Sequence, residues 1–242
     1  RRDIFVYNEA TGMMFTSDRM AGKNLDEGTP AWNKAVAKGD ILPISLIQDD
    51  PFIVRVVVGD ELESAESEEW VARVDWHLNV KDGKLCVTGG SALVNEEYDA
   101  DDSYTNQFIR RIEVPKGHYR VAVYSYIHGV NGKAALDCLA GGYDKSEPMA
   151  EWFRRTRGET ETPLGAEDER EYIHFLAHLT PVDAPPKEGL SEPPTEGWFG
   201  EAINARKPES CPLGLVARDV SGRIDESSGD WIFAYDAFKY CG

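Results

Sequence analysis

The sequence predicts a mainly β protein, an antiparallel β-sandwich with a few short helices and a Pro-rich C-terminal extension. Three observations carry this. Residues 109–126, I-R-R-I-E-V-P-K-G-H-Y-R-V-A-V-Y-S-Y, alternate apolar and polar side chains around a Pro-Lys-Gly turn. Residues 52–58, F-I-V-R-V-V-V, form a β-branched run suited to a strand buried on both faces. Turn signals such as Asp82-Gly83 separate further short runs of strand formers.

From the start of the chain, residues 4–7 read as a first strand, Thr11-Gly12 as a turn and residues 13–15 as a second extended piece. Thr29 caps a short helix with Pro30 in its first turn, carrying Trp32, Ala35 and Val36 and stopping at Gly39. Gln48-Asp49-Asp50-Pro51 turns the chain into the 52–58 run, whose one polar interruption, Arg55, reads as salt-bridged or edge-directed. Residues 70–80 and 84–90 read as a hairpin closed at Asp82-Gly83, and residues 109–126 as a second hairpin. Residues 133–170 form an excursion, with a helix from Met149 opened by Pro148 and closed by Gly158.

Residues 167–180 fit two readings. As a helix they bring His174 and His178 together at i, i+4, a spacing compatible with metal, but H-E-x-x-H is absent. As a strand they place Ile173, Phe175, Ala177 and Leu179 on one apolar face, and this alternation favours the strand. Residues 182–212 hold Pro185-Pro186, Pro193-Pro194, Pro208 and Pro212 and read as a surface connection. Residues 213–220 and 231–240 read as a terminal hairpin. The expected division is a sandwich domain over 1–182, with the 133–170 insertion, and an extension over 183–242 that packs on it.

The net charge is -17 over 242 residues, and it is unevenly spread. Residues 59–102 and 159–242 carry -10 each, residues 103–158 carry +4 and residues 1–58 carry -1. Direct nucleic-acid binding is disfavoured, because neutralising phosphates needs clustered Lys and Arg. No apolar run approaches the ~20 residues of a membrane-spanning helix. Cys86, Cys138, Cys211 and Cys241 have no zinc-site spacing and fit reduced, mostly buried thiols in a cytoplasmic protein, the alternative being two disulfides in an exported form. No cofactor motif is present.

Two acidic blocks are the candidate interaction residues: Asp60, Glu61, Glu63, Glu66, Glu68 and Glu69 in the first, and Glu96, Glu97, Asp99, Asp101 and Asp102 in the second. The second lacks the spacing and central Gly of a calcium loop. Both suit a basic protein partner through complementary charge.

Phe5-Val6-Tyr7, W-N-K-A-V-A-K-G over 32–39, Phe52–Val58, E-V-P-K-G-H-Y-R-V over 113–121 and E-Y-I-H-F-L over 171–176 resemble, in that order, the competence protein J family. The resemblance spans residues 4–180, with 133–170 as an insertion. It implies a small β-sandwich-like fold and a bacterial protein that inhibits a nuclease, without transferring any inhibitory residue. The expected function is therefore a non-enzymatic acidic interaction or inhibitor protein with a basic partner such as a nuclease. Two alternatives remain open. One is a sugar- or peptide-recognition module using Tyr98, Tyr104, Tyr124, Tyr126, Trp152 or Trp198. The other is a metal-dependent hydrolase assembled from loops, although no G-x-S-x-G or catalytic Cys context is present. The sequence sets no oligomeric state.

Overall fold

A computed structural model describes residues 1–8, 10–20, 25, 27–90, 108–128, 132, 147–158, 171–191, 204–209 and 214–222. The protein is mainly β, as the sequence predicts. The chain runs β1 (Arg2–Val6), β2 (Gly12–Ser17), a 3-10 turn, α1 (Pro30–Ala37), β3 (Ile41–Ser45), β4 (Phe52–Val58), α2 (Ser64–Glu68), β5 (Ala72–Val80) and β6 (Lys84–Gly89). It continues through β7 (Ile109–Glu113), β8 (Gly117–Ser125), α3 (Met149–Arg157), β9 (Tyr172–Ile173), β10 (Phe175–Val182), β11 (Asn204–Ala205) and β12 (Leu215–Val216).

A six-stranded sheet, ordered β1-β4-β10-β8-β5-β11, lies against a four-stranded sheet, ordered β3-β2-β6-β7, and β12 pairs with β9. Among the described strands all pairings are antiparallel except β10 with β4, which run parallel. The inner faces share the main core, including Phe15, Leu42, Phe52, Val54, Leu85, Val121, Phe175 and Leu179. β4 is buried on both faces. Its outer residues Ile53 and Val57 join Trp70, Tyr126, Leu176 and Leu215 in a second cluster, against which Leu62, Ala65 and Val220 pack.

Local chemistry sets several elements. Thr29 accepts the Trp32 N–H at 3.3 Å, and Pro30 opens α1. Trp32, Ala35 and Val36 of α1 enter the core, and the Trp76 indole N–H donates to the Val36 carbonyl. α3 follows Pro148 and ends on Gly158 in the left-handed region, as expected. Its Arg155 pairs with Glu147.

Two expectations are corrected. β5 and β6 are not partners, nor are β7 and β8. Instead β5 pairs with β8 and β6 with β7, in different sheets. The turns at Asp82-Gly83 and Pro115-Lys116 are the two sides of one corner, where a long two-stranded ribbon folds from one sheet to the other. The corner is tied by the Val114 N–H to the Gly83 carbonyl at 3.0 Å and by the Tyr119 hydroxyl to the Pro115 carbonyl at 2.5 Å. A sharp corner needs the same Gly and Pro chemistry as a reversal.

Residues 172–182 are strand rather than helix, but a bend at His174 splits them. Ile173 therefore joins Leu176 in the outer cluster, while Phe175, Ala177 and Leu179 face the main core. His174 Nδ1 accepts the Ile53 N–H at 3.0 Å, and the His174 backbone N–H donates to the Ile53 carbonyl. The second half of the expected terminal hairpin, 231–240, lies outside the described residues. Of its first half, β12 pairs with β9.

Two predictions follow from packing and burial. Gly89 lies where an added Cβ would overlap the Tyr7 carbonyl, so Gly89→Ala should cost about 2 kcal/mol or more in urea unfolding. His174 is pushed down to about 3 from the usual 6.5 by burial and then by the neighbouring His128. The unfolded state therefore takes up the proton first. The neutral ring's contribution is complete above pH 6.5 and is lost as pH falls toward 3, with a slope of up to about 1.4 kcal/mol per pH unit. His174→Asn keeps an acceptor for the Ile53 N–H and should flatten urea-midpoint dependence between pH 4 and 6.5.

Candidate functional site

The first acidic block occupies the turn after β4 and the short helix α2, on the outer face of the six-stranded sheet. The structure divides its six carboxylates. Asp60, Glu61, Glu63 and Glu68 are exposed, Glu69 is half-buried and Glu66 is fully buried. The second block, Glu96, Glu97, Asp99, Asp101 and Asp102, lies outside the described residues.

Glu66 is internal because it meets a cation that cannot leave. Arg55 interrupts the apolar β4 and points to the outer face with only 3% exposure. Its cross-strand neighbour on β1 is Asp3, also buried. The two form a fork-to-fork pair, with Arg55 Nε donating to Asp3 Oδ1 and Nη2 to Asp3 Oδ2, both at 2.7 Å. Arg55 Nη1 donates to Glu66 Oε1 at 3.1 Å, and Nη2 also reaches the Val216 carbonyl at 3.1 Å. Asp3 Oδ2 further accepts the Arg218 N–H at 2.6 Å. Arg1 adds a guanidinium to Glu66 at 3.2 Å. Burial alone works to raise the Glu66 pKa. Arg1, the Glu63 N–H and Arg55 outweigh it and hold the carboxyl below its ordinary value.

The same contacts fix α2 at both ends. Glu66 Oε2 accepts the Glu63 N–H at 2.8 Å in the first turn. At the other end Tyr126 donates to the Glu66 carbonyl at 2.6 Å, and Arg206 donates to the carbonyls of Ser67 and Glu68. The Arg206 guanidinium lies over the Trp70 ring, 3.8 Å from its centre. His178 Nε2 lies 2.9 Å from the Asp60 carbonyl and ties down the preceding turn. The four exposed carboxylates thus stand on a braced ridge. Glu63 is shared with Arg218 at 3.3 Å and Arg1 at 3.7 Å, and Asp60 lies 3.7 Å from Arg1. Burial, then Glu68, raises the Glu69 pKa.

The sequence reading missed Asp3, Arg206 and Arg218. Only Arg55 gave a signal, as a lone cation inside an apolar strand. The residues proposed for other functions are placed differently. Tyr124, Tyr126 and Trp152 are buried, and Trp152 donates to the Pro208 carbonyl. Tyr98, Tyr104 and Trp198 lie outside the described residues. His174 and His178 are engaged separately, and among the described residues no group of three His, Cys, Asp or Glu side chains could hold a metal ion. Cys86 is a buried free thiol with its pKa raised by burial and by Asp18; Cys138, Cys211 and Cys241 lie outside the described residues. No helix among the described residues is long and apolar enough to cross a membrane.

Removing Arg55 leaves Asp3 and Glu66 buried without their shared cation. Arg55→Met should cost about 3–5 kcal/mol at pH 7 in urea unfolding. The loss should shrink as pH falls, because without Arg55 the Glu66 carboxyl is held less far below its ordinary value.

No family model matches the chain, and no curated protein sequence matches it. Solved structures similar to it include the crocagin biosynthetic gene J product and ComJ from Bacillus subtilis, an inhibitor of the DNA-degrading activity of NucA. The first has a TM-score of 0.45 and 10% identity, covering 74% of this chain and 96% of that one. The second has a TM-score of 0.39 and 7% identity, covering 75% and 96%. ComJ bears the name of the family that the sequence resembles. At these values no residue role or partner passes from either protein to this chain.

Proposed function

We propose that this chain is a non-catalytic interaction protein of the inhibitor kind, presenting the carboxylates of residues 60–69 to a basic protein partner such as a nuclease. The observation that carries the reading is the bracing of α2. Glu66 is spent inside the protein, and what it secures is a ridge on which Asp60, Glu61, Glu63 and Glu68 stand exposed. Carboxylates held in fixed positions lose less conformational freedom on binding than carboxylates on a loose loop. Complementary charge steers encounter and fixes register, and rim charges act mainly on association rate.

Capture from native lysate, eluted with a salt gradient, tests this when the chain is compared with its Asp60→Asn/Glu61→Gln/Glu63→Gln/Glu68→Gln variant. The expected result is a cationic protein released at moderate salt from the parent chain and absent, or at least tenfold depleted, from the variant. Identical captures from both chains would reject the ridge as the binding surface.

A further inference from the structure

A cleft of about 430 Å³ opens beside the acidic ridge, between the start of β1 and residues 218–221. Of its seven described lining residues, four are arginines: Arg1, Arg2, Arg55 and Arg218. Among the described lining residues the carboxylates are Asp3 and Asp219, against four guanidiniums. We propose that this cleft binds a phosphate group. None of the four ridge carboxylates is among the described lining residues, so the two proposals are tested by different variants.

The arginines have different occupations. Arg55 and Asp3 form the buried floor, and both Asp3 oxygens are taken by Arg55 and the Arg218 N–H. Arg1 is committed to Glu66. Two guanidiniums are available for a ligand. Arg2 makes no side-chain hydrogen bond or ion pair among the described residues. Among the described residues the Arg218 side chain reaches only Glu63, through long contacts of 3.3 and 3.4 Å, and it is 66% exposed. An exposed pair of that length contributes little and exchanges readily for a better acceptor.

Guanidinium favours this ligand because its planar fork matches two oxygens of a phosphate, and phosphate carries more charge than a carboxylate. The backbone under Arg218 is fixed by its N–H to Asp3, and Ser221 is fixed by reciprocal backbone bonds with Asp3 and Phe5. The cleft walls are therefore preformed. The volume exceeds that of a bare phosphate and lies within the range of small-ligand sites, leaving room for a phosphomonoester's organic part. Asp219, exposed at the rim, disfavours more extended polyanions.

Inorganic phosphate is the probe. It is titrated at constant ionic strength, balanced with chloride, while the arginine Nε–H resonances are followed by NMR. The expected result is saturable shifts at Arg2 and Arg218. Arg2→Gln/Arg218→Gln should weaken binding at least tenfold while leaving the phosphate-free melting temperature within about 2 °C, as for typical surface substitutions. Shifts that stay linear and unsaturated, or binding undiminished in the double variant, overturn the proposal. Acetate saturating the same resonances as tightly as phosphate overturns the assignment to phosphate.

Discussion

The structure depends on one desolvated guanidinium. Arg55 sits in the middle of a strand that otherwise holds only apolar side chains, and burying its charge without partners would be prohibitive. The partners come from separate parts of the chain: Asp3 from β1, Glu66 from α2 and the Val216 carbonyl from the segment that also forms β12. Each of these pieces is peripheral or short. β1 is an edge strand, α2 spans five residues and β12 spans two. Each is secured because Arg55 needs it, and the outer face closes when all three arrive. A buried ionic cluster of this kind selects a particular arrangement more than it adds net stability.

The cluster also sorts charge. Glu66 is drawn inside, its neighbours in sequence are left outside, and the short helix between them becomes rigid. Arg1 and Arg218 then lie between the carboxylate ridge and the arginine-lined cleft, each reaching Glu63 while also lining the cleft. The ridge and the cleft thus meet at Arg1 and Arg218, at one end of the outer face. The apolar outer cluster around Ile53, Leu176 and Leu215 supplies the platform beneath them.

The sequence revealed most of the elements and little of their joining. The 52–58 run, the Thr29-Pro30 helix start and the Pro148–Gly158 helix were legible because each is written in adjacent residues. The corner at Gly83 and Pro115 was read as two hairpin turns, since a change of sheet and a reversal use the same residue types. The bend at His174 was invisible because its cause is a hydrogen bond to Ile53, 121 residues away. Arg55 announced a need for a counter-charge without naming it, and Asp3 stood 52 residues upstream. Glu66 looked like any other acid in its block, since a five-residue helix is too short for a hydrophobic period to mark its inner side.

Native-state hydrogen exchange in Arg55→Gln tests the dependence of the outer face on this residue most directly. The Ser67 amide of α2, the Glu69 amide that caps it and the Ala217, Arg218 and Ser221 amides should lose protection together. The β8 amides of Val121 and Val123 should keep a protection well above theirs. Unchanged protection at the first group, or loss there and in β8 to the same level, would contradict the claim that Arg55 is what fastens the ridge and the terminal segment to the sheet.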